Sequence, residues 1–172
     1  MKKIVVINGT GGSGKDTFVS LVSQYCKVYN FSSVEKVKEI AKMIGWGGEE
    51  CKTDKDRKFL SDLKILTTEY NDMSYRDMCD KIAYFETSED EIMFIHIREP
   101  KEIEKVVKHY NVITLLIKRE GLDPIQTNQS DANVENYDYD FIIVNRTLEE
   151  LTIEAKKFVH ELTDISINKH EI

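Results

Sequence analysis

One stretch constrains this chain more than any other: Ile4-Val5-Val6-Ile7-Asn8-Gly9-Thr10-Gly11-Gly12-Ser13-Gly14-Lys15-Asp16-Thr17-Phe18. A short apolar run of strand type meets a glycine-rich turn. Helical spacing then places Phe18, Leu21, Val22 and Tyr25 on one face of a helix over 14–26. The spacing Gly9-x4-Gly14-Lys15 is that of a phosphate-binding loop, with Asp16 where Ser or Thr is usual. The pattern alone arises by chance in roughly 5 % of chains of this length, so the strand before it and the helix after it carry the reading. Glycines let the backbone wrap an anion closely, and the amides and positive end of the following helix face it. Gly9, Gly11, Gly12, Ser13, Gly14, Lys15, Asp16 and Thr17 are therefore the expected nucleotide contacts, with Lys15 reaching the β- and γ-phosphates.

The rest of the chain reads as alternating strands and helices. Val28–Phe31 is a short strand. Ser32-Ser33-Val34-Glu35 has the form of a capping box, and Val34, Val37, Ala41 and Ile44 repeat at helical spacing up to Gly45. Ser32 and Ser33 could equally meet an acceptor at the mouth of a parallel sheet. Residues 45–55 form a loop. Helices follow, one with Phe59, Leu60, Leu63, Leu66 and Tyr70, another with Tyr75, Met78, Ile82 and Phe85. Together they make a helical insert over about 33–87. Glu91–Arg98 is the third strand, Pro100 opens the next helix, and Val112–Ile117 is an apolar run suited to a central parallel strand. The polar segment over about 118–137 has the length of an active-site lid. Asp140–Val144 is the fifth strand. Thr147-Leu148-Glu149-Glu150 caps a last helix whose buried face is Leu148, Leu151, Ala155, Phe158, Val159 and Leu162, and 164–172 reads as a tail. The pattern predicts one α/β domain over 1–172, with a five-stranded parallel sheet covered by helices on both faces.

Charge narrows the partners. A net charge of −7 argues against a nucleic-acid polymer, which asks for a basic surface. A small anion held by a few local cations remains compatible. No run approaches the roughly 20 apolar residues of a membrane span. Cys26, Cys51 and Cys79 lack metal-ligand spacing and fit free thiols in a reducing compartment, so the expectation is a cytoplasmic protein without a membrane partner.

Several further residues carry a resemblance. The ending Ser13-Gly14-Lys15-Asp16-Thr17 resembles the phosphate loop of phage-type deoxynucleoside monophosphate kinases, and animal-type phosphomevalonate kinases share the Lys-Asp ending. His96-Ile97-Arg98, with Glu102-Ile103 after it, is similar to the Asp-x-Arg segment of the deoxynucleotide kinases, His96 replacing the Asp. Ser130-Asp131 and Tyr139 to Leu151 resemble their closing stretch, and dephospho-coenzyme A kinases end in a similar way. The resemblance implies a P-loop NTPase fold and use of ATP with Mg²⁺. It also implies transfer to a small phosphorylated acceptor, a nucleoside or deoxynucleoside monophosphate, and places Asn145 and Arg146 near the adenine. The alternatives are a kinase for a phosphomevalonate-like or coenzyme-A-precursor acceptor, and a regulatory nucleotide-binding protein without transfer activity.

Phosphoryl transfer to such an acceptor brings two anions together, which requires fixed cations, and Arg binds phosphate oxygens in pairs. Of the five arginines, Arg98 ends the third strand at the ligand-binding edge, Arg57 opens the first long insert helix and Arg119 opens the lid. With Lys15 these are the candidate catalytic residues. Asp16 and Thr17 are the candidate metal ligands, although Asp16 could also simply complement the helix dipole. Glu99 could hold the metal through water or cap the next helix. His96 reads better as a hydrogen-bonded strand residue than as an acid or base.

Overall fold

A computed structural model describes residues 2–48, 52–121 and 133–167. Most of the expected lid, with Ser130 and Asp131, lies outside the described residues, as do Cys51 and 168–172. The elements run β1 (Lys3–Asn8), α1 (Lys15–Val22), β2 (Val28–Ser32), α2 (Glu35–Met43), α3 (Asp54–Asn71), α4 (Met73–Thr87), β3 (Ile92–His96), α5 (Pro100–His109), β4 (Val112–Arg119), β5 (Phe141–Asn145) and α6 (Leu148–Ile167). The chain divides into two compact units, 1–30 with 88–172, and 31–87.

The sheet is parallel, in the order β2-β3-β1-β4-β5. The most deeply buried strand, β1, is central, because a strand flanked on both sides and covered on both faces has no polar side to offer. Val5 pairs with Phe94 and Ile113, Ile7 with His96 and Leu115, and Asn8 with Leu116. Beyond β4, Leu115 pairs with Phe141 and Arg119 with Asn145. Alternation sends Val5 and Ile7 to one face, where they join Phe18 and Val22 of α1 and Leu151, Ala155 and Phe158 of α6. Phe158 sits at the centre, 5.6 Å from Phe18 and 5.2 Å from Phe141 between ring centroids. The other face carries Val6, Ile95 and Thr114, and α5 contributes the buried Ile103 and Val106. Asp140 closes the edge there: its Oδ2 accepts from the Thr114 amide and hydroxyl, each at 2.8 Å.

The second unit holds α2, α3 and α4. Trp46 is buried and donates from Nε1 to Asp56 Oδ1 at 3.1 Å, which ties the loop after α2 to the first turn of α3. Thr53 and Asp56 form a reciprocal capping box. Asp56 is consequently held below its ordinary pKa, chiefly by the Thr53 hydrogen bonds. Met78, Ile82 and Phe85 of α4 are buried, whereas α3 buries none of its side chains and leaves Leu66 and Tyr70 exposed.

Expectations change in several places, the end of β3 at His96, short of Arg98, among them. First, α1 stops at Val22 rather than 26, because the chain tightens into i→i+3 bonds from Gln24 to Leu21 and from Tyr25 to Val22, leaving Tyr25 exposed. Second, Ser32 does not cap α2. It stays in β2, and the cap position falls to Val34, with no side-chain bond. Third, β4 runs on to Arg119, so Lys118 and Arg119 belong to the sheet and not to the lid. Pairing with Val144 and Asn145 extends the ladder through these two charged residues. Fourth, Leu148 is exposed, because the buried stripe of α6 begins at Leu151. Fifth, α6 continues through 164–167, where a tail was expected.

Candidate functional site

The carboxyl ends of β1, β3, β4 and β5 gather the candidate residues of the first unit along one sheet edge. Ligands of open α/β sheets bind at such an edge. The phosphate loop leaves β1 at Asn8 and enters α1 at Gly14, whose φ of 100° is one that a side chain rarely adopts. At Gly14 a Cβ would collide with Asn145 Nδ2. At Gly9 it would collide with the Ile117 carbonyl and stand 2.6 Å from Ser13 Oγ. Gly9 and Gly14 are thus required by close approach within the protein itself, whereas a Cβ at Gly11 would meet nothing. Asn145 Nδ2 donates to the Ser13 carbonyl at 2.9 Å, so the end of β5 braces the loop.

Lys15 Nζ lies on the loop's own carbonyls, 2.6 Å from Gly9 O and 2.9 Å from Thr10 O. Arg119 Nη1 donates to Gly12 O at 3.3 Å. Strand alternation explains the neighbour: Lys118, pointing the other way, pairs with Glu135 at 2.8 Å. Arg98 lies just beyond β3, its backbone carbonyl accepting from Asn8 Nδ2 at 3.1 Å. His96, at the end of β3, joins its Nε2 to Asn30 Oδ1 at 2.8 Å. Burial pushes its pKa down to about 4; Lys15 and Arg98 push the same way, and Asp16 opposes them. The imidazole is therefore neutral at pH 7.

Arg146 pairs with Glu120 at 3.3 Å and Glu150 at 3.5 Å. Arg57 belongs to the other unit, with Nε 3.9 Å from Asp54. Glu99 takes the cap position of α5 without a side-chain bond. Asp16 and Thr17 are exposed on the first turn of α1. Among the described residues no three His, Cys, Asp or Glu side chains converge as a metal site. A cation such as Mg²⁺, which keeps water and shares phosphate oxygens, asks for only one or two protein ligands.

The fit to a nucleotide's phosphates rests on two observations. Among the described residues Ser13 Oγ is buried without a hydrogen-bond partner, an orphan that an anion's oxygen would satisfy. The first-turn amides of α1, which have no intrahelical acceptor, open toward the same loop as Lys15 and Arg119.

Two polar residues escaped the sequence reading. Asn8 is fully buried and bonds Gly9, Arg98 and Tyr139; the one hint was a carboxamide closing an apolar strand. Tyr139 donates from its hydroxyl to Val134 O at 2.7 Å, and burial pushes its pKa up to about 12.

No protein-family model and no curated protein sequence matches the chain. Solved structures do align with it. TT1252 from Thermus thermophilus is 17% identical, with 93% of this chain and 97% of that chain covered and a TM-score of 0.50. A sugar kinase from Janibacter sp. HTCC2649 is 19% identical over 93% and 95% of the two chains, with a TM-score of 0.52. A thymidylate kinase from Ehrlichia chaffeensis is 11% identical over 92% and 98%, with a TM-score of 0.49. At these identities the likeness is one of fold. The chain has an α/β P-loop fold. Among the described residues no helix is long and apolar enough to cross a membrane.

Proposed function

We propose that the protein is an ATP-dependent phosphotransferase whose acceptor is a small phosphorylated molecule, a nucleoside or deoxynucleoside monophosphate. The observation that carries this reading is the pair of cations on the phosphate loop, Lys15 on the Gly9 and Thr10 carbonyls and Arg119 on that of Gly12. Arg98 follows β3 at the same sheet edge, its backbone tied through Asn8 to the first residue of the loop. A single triphosphate is served by the first two with the loop amides. A third cation suits a second phosphate, and Arg98 is assigned to the acceptor.

Each residue then has a task. The amides of Gly11 to Thr17 and Lys15 hold the β- and γ-phosphates, Arg119 stabilises charge on the transferring group, and Asn145 keeps the loop in shape. Asp16, or the Thr17 hydroxyl, would hold Mg²⁺, which supplies neutralisation of phosphate charge when bound. An ionised phosphate acceptor carries no proton that must be removed. The neutral, weakly basic His96 is compatible with that chemistry and ill suited to deprotonating an alcohol.

The test is ADP formation from Mg-ATP with a panel of nucleoside and deoxynucleoside monophosphates, alongside phosphomevalonate and dephospho-coenzyme A. Turnover with a monophosphate, lost in Lys15→Ala, is the expected outcome. Turnover confined to the other two would reassign the acceptor. ATP binding with no transfer to any acceptor would leave a regulatory nucleotide-binding protein.

A further inference from the structure

We infer that Asn8 and Tyr139 are positioning residues that fix Arg98 against the mouth of the phosphate loop. The inference rests on the reading of Arg98 as the acceptor's cation. Asn8 ends the central strand, fully buried, and the whole of its carboxamide is engaged. Oδ1 accepts the Gly9 amide at 2.8 Å, and Nδ2 donates to Arg98 O at 3.1 Å and to Tyr139 Oη at 2.7 Å. The orientation of this amide is dictated by its partners. Flipped, it would set an oxygen against the Arg98 carbonyl and an NH₂ against the Gly9 N–H. Tyr139 spends its one proton on Val134 O, so its oxygen is left to accept from Asn8. The chain Asn8–Tyr139–Val134 therefore runs in one direction.

One side chain thus anchors both the first residue of the phosphate loop and the backbone of Arg98. The two lie on separate connections, 9–14 and 97–99. The last backbone bond between them runs from the Ile97 amide to the Ile7 carbonyl at 3.3 Å, and beyond it the carboxamide sets their spacing, with Tyr139 holding the carboxamide from the far side. Two anions that react must be held at a set separation, and small misplacements are costly in rate. Loss of the tyrosine hydroxyl leaves the ring in its place 5.0 Å from Tyr137 but frees one Asn8 proton and the Val134 carbonyl.

The experiment is steady-state kinetics on the full chain with the monophosphate that the panel identifies, comparing parent, Tyr139→Phe, Arg98→Ala and the double variant. Tyr139→Phe should raise the acceptor KM about fivefold or more, the equivalent of one lost hydrogen bond, with the ATP KM within about twofold of the parent. In the Arg98→Ala background the same substitution should have less than about a twofold effect, because its path runs through Arg98. Equal rises in both KM values, or effects that simply multiply, would overturn the inference and make Tyr139 structural. Hydrogen exchange of the 97–99 amides, without substrate, is the second readout: it should speed up in Tyr139→Phe while α6 stays unchanged. Unchanged exchange at 97–99 would overturn the anchoring even if the parent proved to transfer no phosphoryl group, whereas faster exchange in an inactive parent would uphold it and sink only the assigned function. If Tyr139→Phe does not fold, Asn8→Asp, which keeps the acceptor for Gly9 and loses both donors, takes its place with the same two readouts.

Discussion

Gly14→Ala tests whether the phosphate loop is shaped by the protein's own packing. Two costs add. The residue has φ 100° and ψ 17°, and a side chain held in such a region costs about 1–3 kcal/mol. The new methyl also collides with Asn145 Nδ2, the mobile end of a side chain, which must turn away. Turning away breaks its 2.9 Å bond to the buried Ser13's carbonyl, worth about 1 kcal/mol. The sum is about 2–4 kcal/mol. At about 2–4 °C per kcal/mol for a chain of this size, the midpoint should fall by roughly 5–15 °C. Urea unfolding of parent, Gly14→Ala, Asn145→Ala and the double variant separates the two costs. Asn145→Ala alone forfeits the hydrogen bond, about 1 kcal/mol. In that background Gly14→Ala should cost only the backbone part, so the double variant should be more stable than additivity predicts, by about 1 kcal/mol. A Gly14→Ala loss below about 1 kcal/mol would refute the backbone argument. Strict additivity would refute the contact with Asn145.

The other predictions are shorter. Lys15→Ala should fold as the parent does and lose transfer activity by about 10²-fold or more, checked by ADP release and circular dichroism. Asp16→Asn should raise the Mg²⁺ concentration needed for half-maximal activity and bind metal-free ATP no worse than the parent; superimposable Mg²⁺ titrations would leave Asp16 as a dipole partner only. His96 should make the substrate-free protein acid-sensitive. Its folded pKa of about 4 lies below the unfolded value, so the unfolded chain binds its proton first. The contribution is complete above about pH 6.5 and shrinks by about 1–3 kcal/mol as the pH falls toward 4. His96→Gln should show a shallower loss over that window in urea unfolding at several pH values, and parallel curves would count against the burial argument.

The parts of the fold that sequence reveals are those whose causes are local. The apolar run before Gly9, the glycines of the loop and Pro100 at the start of α5 each act within a few residues, and each is found where the pattern puts it. Thr147 does cap α6 through the Glu150 amide, although the Glu150 carboxylate turns to Arg146 and leaves the box half made. Ser32 fails as a cap because its place in β2 outweighs a local capping preference. Arg119 reads as the first residue of a polar loop, yet it reaches the Gly12 carbonyl from a strand whose ladder with β5 aims it there. Asn8 was the least legible: its partners lie 90 and 131 positions away, and no periodicity or spacing encodes them.

The positions of the cations suggest how a site on an acidic chain can attract an anion. With a net charge of −7, the chain as a whole repels a polyphosphate, so attraction must be local. The loop supplies it by holding its own counter-charges. Lys15 sits on the carbonyls of Gly9 and Thr10, and Arg119 on that of Gly12. Neutral carbonyls bind a cation less strongly than an ionised phosphate does. Under the proposed function an arriving phosphate competes with those carbonyls for both side chains. The loop itself need not follow them, because Asn8 holds the Gly9 amide at one end and Asn145 holds Ser13 at the other. The loop backbone is thus braced by two carboxamides, the fully buried Asn8 and the half-buried Asn145. Preorganisation of this kind lowers the ordering cost of binding, because the groups that must be still are already still.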